Sequence, residues 1–582
     1  MSEERVIPVN QTTDLVTFTI KSDGTVISSE YQVVSVNVIK DVNKIPQAQL
    51  IFLDGDSAQE DFPLSSKEDF IPGKEIEISA GYHSDEKIIF KGIIISHAVK
   101  VKKNKGSYLT IECRDKAVKM TAARNNKYFY ESTDSDIIEE IIGTYGLESE
   151  IESTNVQHKE MVQYYCTDWD FILSRAEANG KLVFVDDGKV IIKKPDTSTE
   201  PVLSLIYGST MLEFEAGMDA RNQLSAVKSK SWDYSSQEII EEESEDPSVE
   251  EIGNITASDL TDVLGVSEFA QVHSGKVEDQ ELKAWADAKA LKAKLAKIRG
   301  RVKCQGYNEV KPGGMIELKG VGDRFNGKAF VSGVCHQISS GNWETDIQFG
   351  LNAEWFSSAN KINDTKASGL VPAVNGLHVG VVTQLESDPD GEDRILVKMP
   401  SISTEDEGIW ARIATLDAGE NRGSFFRPEI GDEVLLGFLN DDPRHPVVLG
   451  MMNSSAKPAP LTASDSNPEK GFVTRSQLKL IFNDEKKVIQ VETPNGNKIT
   501  LSDDEGSITL EDESGNKITM SSDGIALESA KDVIIKATGD VKVEGVNTEI
   551  KASAQFKAEG SAGAEVKSSA TATLKGSLVQ IN

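Results

Sequence analysis

The chain has 582 residues, too many for one hydrophobic core, so it divides into several domains. Hydrophobic residues make up 38% and charged residues 27%, the balance of a folded chain rather than a disordered one, and no run of about 18 apolar residues exists to form a membrane helix. A formal charge of −32 argues against nucleic acid as a partner, because binding phosphates needs clustered Lys and Arg. The opening MSEERVIPVNQTTD lacks the basic and apolar regions of a signal peptide, which predicts synthesis in the cytoplasm without the usual secretory entrance.

The first hundred residues read as β-structure. Val33–Val42 (VVSVNVIKDV) alternates, and Ala48–Asp56 (AQLIFLDGD) ends in an Asp-Gly turn. Ile71–Tyr82 follows as another strand. Lys87–Val101 is too apolar and β-branched for a surface helix and reads as two strands meeting at a Gly92 bend, a barrel corner. Helices then intrude. Ser132–Gly146 has capping residues and sets Ile137, Ile138, Ile141, Ile142 and Tyr145 on one amphipathic face. Thr167–Gly180 opens on a capping box, Thr167 with Asp170, and stops at Gly180. Lys181–Lys194 reads as a hairpin around Asp186-Asp187-Gly188.

Gln237–Glu251 is an acid run around Pro247, expected as a solvated loop and as a candidate docking surface for cargo. Glu278–Gly300 reads as a helix with its acids first and its lysines last, as the helix dipole favours. Leu282, Trp285, Leu291, Leu295 and Ile298 line its core face. Strand signals return from Arg299 to Leu351. Five short strands between His378 and Met452 have the size of an OB-type barrel. From Phe472 onward the chain reads as short alternating strands to its last residue.

That tail is repetitive. Gly-Asn-Lys-Ile-Thr occurs at Gly496–Thr500 and again at Gly515–Thr519, and an apolar–charged–small triplet then recurs from Leu527-Glu528-Ser529 to Leu574-Lys575-Gly576. So short a period means a β-solenoid or β-prism. Each rung supplies one or two apolar side chains, too few to offset backbone ordering in a single chain, and its strand edges are bare. Three chains wound together solve both problems. The candidates for their shared core are Ile499, Leu501, Ile508, Leu510, Ile518, Met520, Leu527, Ile535, Val543, Ile550, Val566 and Leu574.

Chemistry-bearing motifs are sparse. Cys113, Cys166, Cys304 and Cys335 are far apart and read as buried thiols, and seven scattered histidines show no metal-ligand spacing. The acid pairs Asp186-Asp187 and Asp503-Asp504 sit in hairpin turns, where acids are solvated turn formers. No catalytic, cofactor or metal residue is assigned. The fold class is mainly β with a few helices, in several domains.

Three stretches carry a resemblance. Thr167–Ile192 joins an Asp-aromatic helix to Glu-x-x-Gly and a strand. Gly408–Met452 contains Trp410-x-Arg412-Ile413-Ala414, then Phe426-x-Pro428-x-Ile430-Gly431-x-Glu433-Val434, then Asp442-Pro443-x-x-Pro446-Val447. Pro312–Ile338 supplies the third. Together they resemble the VgrG-type spike proteins of contractile injection systems, fusions of a phage hub with a tail spike. The resemblance spans essentially the whole chain. It implies phage-hub-like β-barrels, an OB-fold barrel and a C-terminal trimeric β-helix or β-prism spike.

The implied divisions are a first hub barrel (1–110), an inserted α+β region (111–210), a second hub barrel (211–355), a linker (356–374), the OB domain (375–453), a linker (454–471) and the spike (472–582). Trp410, Pro428, Gly431, Pro443 and Pro446 are expected to shape the OB domain. The implied partners are two further copies in a homotrimer, the inner tube protein at the N-terminal hub, baseplate proteins, and a PAAR-type cap at Leu578, Val579, Ile581 and Asn582, with effector cargo carried along and a target membrane pierced in transit. Only about 20 residues separate the OB and tail segments, too few for the lysozyme domain of some phage spikes. The alternatives are a wall-degrading tail spike and a receptor-binding trimeric fibre.

Overall fold

Strand periodicity governs most of the chain. The computed structural model describes residues 16–103, 106–266 and 268–581, so the signal-peptide reading of the first residues and the tip contact expected at Asn582 lie outside the described residues. One unit runs to Asn375 and includes Phe438–His445. The other holds Gly376–Gly437 and the chain from Pro446 onward.

In the first unit, alternation builds a β-lobe from strands Val16–Ser22, Val33–Asp41, Gln47–Leu53, Glu75–Tyr82, Asp85–Lys102 and Gly106–Arg114. Ala48, Leu50 and Phe52, every second residue of Gln47–Leu53, point inward and join Val36, Phe70 and Ile111 in its core. Asp85–Lys102 is one strand where two were expected. Its first half pairs with Glu75–Tyr82 and its second with Gly106–Arg114, and the partner changes at Ile93. The corner is real, because a Cβ on Gly92 would lie 2.2 Å from the Arg114 carbonyl oxygen.

A second lobe uses Leu203–Ile206, Met211–Met218, Ile298–Gln305, Met315–Lys319, Gly327–Ser339 and Asn342–Phe349. Gly327–Ser339 pairs with Asn342–Phe349 on one side and with Val33–Asp41 on the other, so one sheet runs through both lobes. His336 is buried at this seam. Its Nδ1 lies 3.0 Å from Thr345 Oγ1, and its ring tilts against Trp343. Burial, with the nearby Lys40 charge, lowers its pKa to about 3.

Between the lobes sits an α+β insert. Helix Asp134–Thr144 begins at Thr133, whose hydroxyl accepts from Asp136 N–H while the Asp136 carboxylate answers the Thr133 N–H. Helix Asp168–Ala178 is capped by Thr167, whose hydroxyl accepts from Asp170 N–H at 3.0 Å, but the Asp170 carboxylate does not return a bond to the Thr167 N–H, so only half of the expected capping box forms. Ile138, Ile142, Trp169, Ile172, Val183 and Ile192 form the core. Asp134, 1% exposed, accepts from Arg175 at 2.6 and 2.9 Å and from Asn179 at 2.8 Å, and Arg175 also donates to Glu281 at 2.8 Å. Burial alone would raise the Asp134 pKa. Hydrogen bonds from His158, Arg175 and Asn179, with the Arg175 charge, overcome it and hold the carboxyl well below its usual range.

Several expectations are corrected here. Asp186 and Asp187 are not solvated turn formers: the buried Lys40 ammonium donates to them at 2.7 and 3.1 Å, and Lys311 reaches Asp186 at 2.5 Å. Burial pulls the Lys40 pKa down, but the two carboxylates outweigh it and hold it above the ordinary lysine value. The acid run is not simply a loop. Glu238–Glu243 is a strand, because Ile239 and Ile240 favour extension and Lys228 and Lys230 on the neighbouring strand neutralise Glu241 at 3.1 and 2.8 Å. The long helix covers Asp279–Leu295, and Ile298 instead opens the next strand. Cys113 and Cys304 are buried, Cys166 and Cys335 only half-buried, and all four are free thiols.

In the second unit, His378–Gln384, Ile395–Lys398, Ile409–Ile413, Pro446–Met451 and Glu433–Phe438 close into a five-stranded barrel. Val382, Val397, Ala411, Val434, Leu436 and Val448 fill it. Seven strands from Glu469–Val473 to Gly524–Glu528 then form an up-and-down meander. Beyond Glu528 the expected strands do not form within the chain: residues 530–581 contain no intrachain strand, because no segment lies alongside to supply backbone partners.

Candidate assembly interface

The meander follows from two-residue alternation and repeated turn chemistry. Both Gly-Asn-Lys-Ile-Thr copies place their glycine at positive φ, +94° at Gly496 and +85° at Gly515, just before a strand, Lys498–Ser502 or Lys517–Ser521. The Asp512 carboxylate holds the second turn by accepting from Ser514 N–H and Asn516 N–H at 2.9 and 2.8 Å.

Register then sorts the side chains. Val491, Ile499, Leu510, Ile518 and Leu527 are successive cross-strand partners, and so are Ile489, Leu501, Ile508, Met520 and Ile525. Both rows lie on one face of the sheet. The other face carries Thr500, Thr509 and Thr519, and beside them Lys479, Glu492, Lys498, Glu511, Lys517 and Glu528, partners whose charge alternates from strand to strand. Opposite charges directly across a strand pair stabilise the pairing. Sequence reading missed this ladder, although its signal is present: each Ile-Thr or Ile-Thr-Leu core is preceded by Lys or followed by Glu.

The apolar face is the uncovered one. Ile499 and Leu501 are each 42% exposed and Leu510 38%, values that a core position does not show. Val491, Ile499, Leu510, Ile518, Leu527 and Val533 line an open groove of about 540 Å³ on it. Of the remaining core candidates, Met520 is half-buried, whereas Ile535, Val543, Ile550, Val566 and Leu574 stand in the strandless segment and are exposed. Leu578, Val579 and Ile581 of the expected tip are exposed as well. The structure therefore brings seven candidates onto one face and does not bring the other five to it.

Within the same unit the barrel meets the meander through Phe426 and Phe472, stacked with ring centroids 5.1 Å apart, and through Arg475 donating to Glu429 at 2.8 Å. Trp410 is half-buried on Ile409–Ile413, paired with Leu396. Pro428 is buried. Gly431, at φ +86°, donates its N–H to the Val382 carbonyl at 2.8 Å and turns the chain into Glu433–Phe438. Pro446, also buried, opens the strand Pro446–Met451. In the other unit, Pro443 follows Asp442, whose buried carboxylate accepts from Arg444 Nε and Nη2 at 3.0 and 2.7 Å.

Among the described residues no group of three or more His, Cys, Asp and Glu side chains is placed to hold a metal ion, and no helix is long and apolar enough to cross a membrane.

Comparison with known proteins adds the following. The family profile of the Alg8 N-terminal domain matches residues 12–340, more than half of the chain. The chain belongs to the Alg8 N-terminal domain family. In this Alg8-family chain the type VI secretion system/phage-baseplate injector OB domain matches residues 378–452, the closed barrel, and the phage baseplate V C-terminal trimerisation domain matches residues 488–582. Its domain set is thus that of a VgrG-like spike. Type VI secretion system spike protein VgrG1b of Pseudomonas aeruginosa is 26% identical over 216 residues, 34% of this chain and 28% of that protein. VgrG3 of Vibrio cholerae is 32% identical over 105 residues, 16% of this chain and 10% of that protein. The matched part thus spans less than a third of either relative. Among solved structures, the 43 kDa tail protein of prophage MuSo2 from Shewanella oneidensis is similar at a TM-score of 0.44 and 10% identity, over 58% of this chain and 98% of that one.

Proposed function

We propose that three copies of this chain form the hub and spike at the tip of a contractile injection machine, a mechanical role rather than a catalytic one. The observation that carries the reading is the apolar face of the meander. Two cross-strand rows of Ile, Leu, Val and Met stay in water in the single chain, inside residues matched by a trimerisation domain. A contiguous apolar face of this kind marks an interaction surface. Three such faces turned inward give each other a core, and the strandless residues 530–581 gain backbone partners from neighbouring copies. The OB and spike matches, and the relatives named as type VI secretion spike proteins, support the same assignment.

In this reading residues 1–110 and 211–355 are hub barrels around the insert 111–210, residues 375–453 form the neck, and 472–582 the shaft, with linkers at 356–374 and 454–471. The hub meets the inner tube and baseplate. Two barrels in each of three chains present a pseudo-sixfold surface to the tube. Leu578, Val579, Ile581 and Asn582 seat a PAAR-type cap, and cargo travels with the particle across the target membrane. Asp186 and Asp187 serve Lys40 and Lys311, which leaves no free acid pair there for hydrolysis. The trimer carries three times −32, or −96, which discourages nonspecific association. The test is the native mass of the full-length chain. A trimer near three times 63.4 kDa, about 190 kDa, is expected, and a stable monomer at micromolar concentration sinks the proposal.

A further inference from the structure

The three-stranded sheet that contains the acid run ends at Glu238–Glu243. Among the described residues this strand pairs with Val227–Asp233 on one side and with no strand on the other, while Phe269–His273 takes the opposite flank of Val227–Asp233. A bare edge offers a row of backbone N–H and C=O groups to an incoming strand. Beside it opens a cleft of about 910 Å³ between helix Asp279–Leu295 and insert segments 152–156 and 179–181. Glu242 reaches its wall, as do Asp279, Val156 and Leu291. On the outer face Trp232 and Ile239 are cross-strand partners, 43% and 64% exposed.

Charge decides what fits this edge. Two of the cleft's three lysines, Lys181 and Lys283, are already paired with carboxylates, and Lys194 stands in no ion pair among the described residues. Lys181 lies 2.9 Å from Glu152, Lys283 donates to Asp287 at 2.6 Å, and Lys194 adds to the cationic surroundings that hold the Glu152 pKa below its usual value against burial. The carboxylates of Glu238, Glu242 and Asp279 have no ion pair or hydrogen bond among the described residues. Lysine is the usual guard of a bare edge. Here Glu238 and Glu242 stand unpaired instead, while Lys228 and Lys230 already meet Glu241 and Lys228 lies 3.7 Å from Glu243, so the unpaired charge of the edge repels an acidic strand and matches a basic one.

We infer that the Glu238–Glu243 edge and its cleft take up an extended basic segment of a partner protein, which adds a strand to the sheet and sets Lys or Arg against Glu238, Glu242 and Asp279. This surface goes beyond the trimer reading and does not rest on it. The test uses the full-length chain and two labelled peptides, one of four Lys-Val repeats and one of four Glu-Val repeats. The Lys-Val peptide binds and slows hydrogen exchange at residues 238–243 by about tenfold or more, and the Glu-Val peptide does neither. The double variant Glu238→Lys/Glu242→Lys reverses the preference by about tenfold in Kd, with exchange in helix Asp279–Leu295 as in the parent. The inference is overturned by unprotected 238–243 amides at saturating Lys-Val peptide, or by protection only elsewhere. Amides equally protected without peptide, because another copy already covers the edge, also overturn it, as does a preference that charge reversal leaves unchanged.

Discussion

Leu510→Glu separates the two faces of the meander most sharply, with Thr509→Glu as its control one residue away on the opposite face. Leu510 is 38% exposed in the single chain. Fully burying a leucine stabilises by about 1.5–3 kcal/mol, so covering the remaining exposure contributes about 0.6–1.1 kcal/mol per chain, or about 2–3 kcal/mol per layer of three. Glutamate forfeits that and brings three carboxylates together. At about 4 Å and an effective dielectric of about 20, each pair repels by about 4 kcal/mol, so one layer loses more than about 10 kcal/mol at neutral pH. Protonation removes the charges, and lowering the pH toward 4 restores much of the loss. Native mass spectrometry or light scattering at low micromolar concentration reads the result. Leu510→Glu falls from about 190 kDa toward 63.4 kDa at pH 7.5 and recovers mass on acidification, while Thr509→Glu keeps the parent mass. Equal masses for the two variants, or a loss indifferent to pH, would refute the assignment of faces.

The ion network of the insert gives a second prediction: Arg175→Met leaves Asp134 buried without its cation and costs about 3–5 kcal/mol, read as faster hydrogen exchange in both insert helices. Because the folded pKa of Asp134 is depressed, its contribution is present above the unfolded value of about 3.9 and fades as pH falls below it, so parent and variant converge under acid; a constant gap contradicts the account. His336 has a folded pKa near 3, below its unfolded value of about 6.5, so the seam between the lobes is strongest above pH 6.5 and weakens by up to about 1.4 kcal/mol per pH unit below it. Acid unfolding of His336→Gln should show a shallower slope through that window, and an unchanged slope removes His336 from the explanation. Gly92→Ala forces a Cβ against the Arg114 carbonyl oxygen and destabilises the first lobe, checked by thermal unfolding; a melting temperature within one degree of the parent would show that the corner relaxes freely.

The fold was legible where pattern and packing agree. Alternation in Gln47–Leu53 and the capping residues at Thr133 and Thr167 act locally, so they read directly from the sequence. Charges whose partners are distant did not. Asp186 and Asp187 look like any turn until Lys40, nearly 150 positions earlier, is folded onto them, and the acid run looks like a loop until Lys228 and Lys230 pair with it. At the interface, an apolar residue such as Leu510 could be named from the sequence, although Ile489, Val491 and Ile525 of the same rows are not among the candidates. The face that Leu510 occupies could not be named, because a one-residue slip exchanges the two faces and only the register excludes it.

The sheet shared by the two lobes bears on how the chain is made. Val36 pairs with Ile338, roughly 300 positions later, and Ile338 and Trp343 belong to the core of the first lobe. A ribosome adding about 5–20 residues per second therefore exposes the first lobe for tens of seconds before its last strand arrives. During that interval Val33–Asp41 has one unpaired edge and an incompletely sealed core, the combination that recruits chaperones or seeds aggregation. Nascent chains cut anywhere between the lobes should be sticky intermediates rather than independent domains, and the shared sheet becomes safe only when the second lobe has been synthesised.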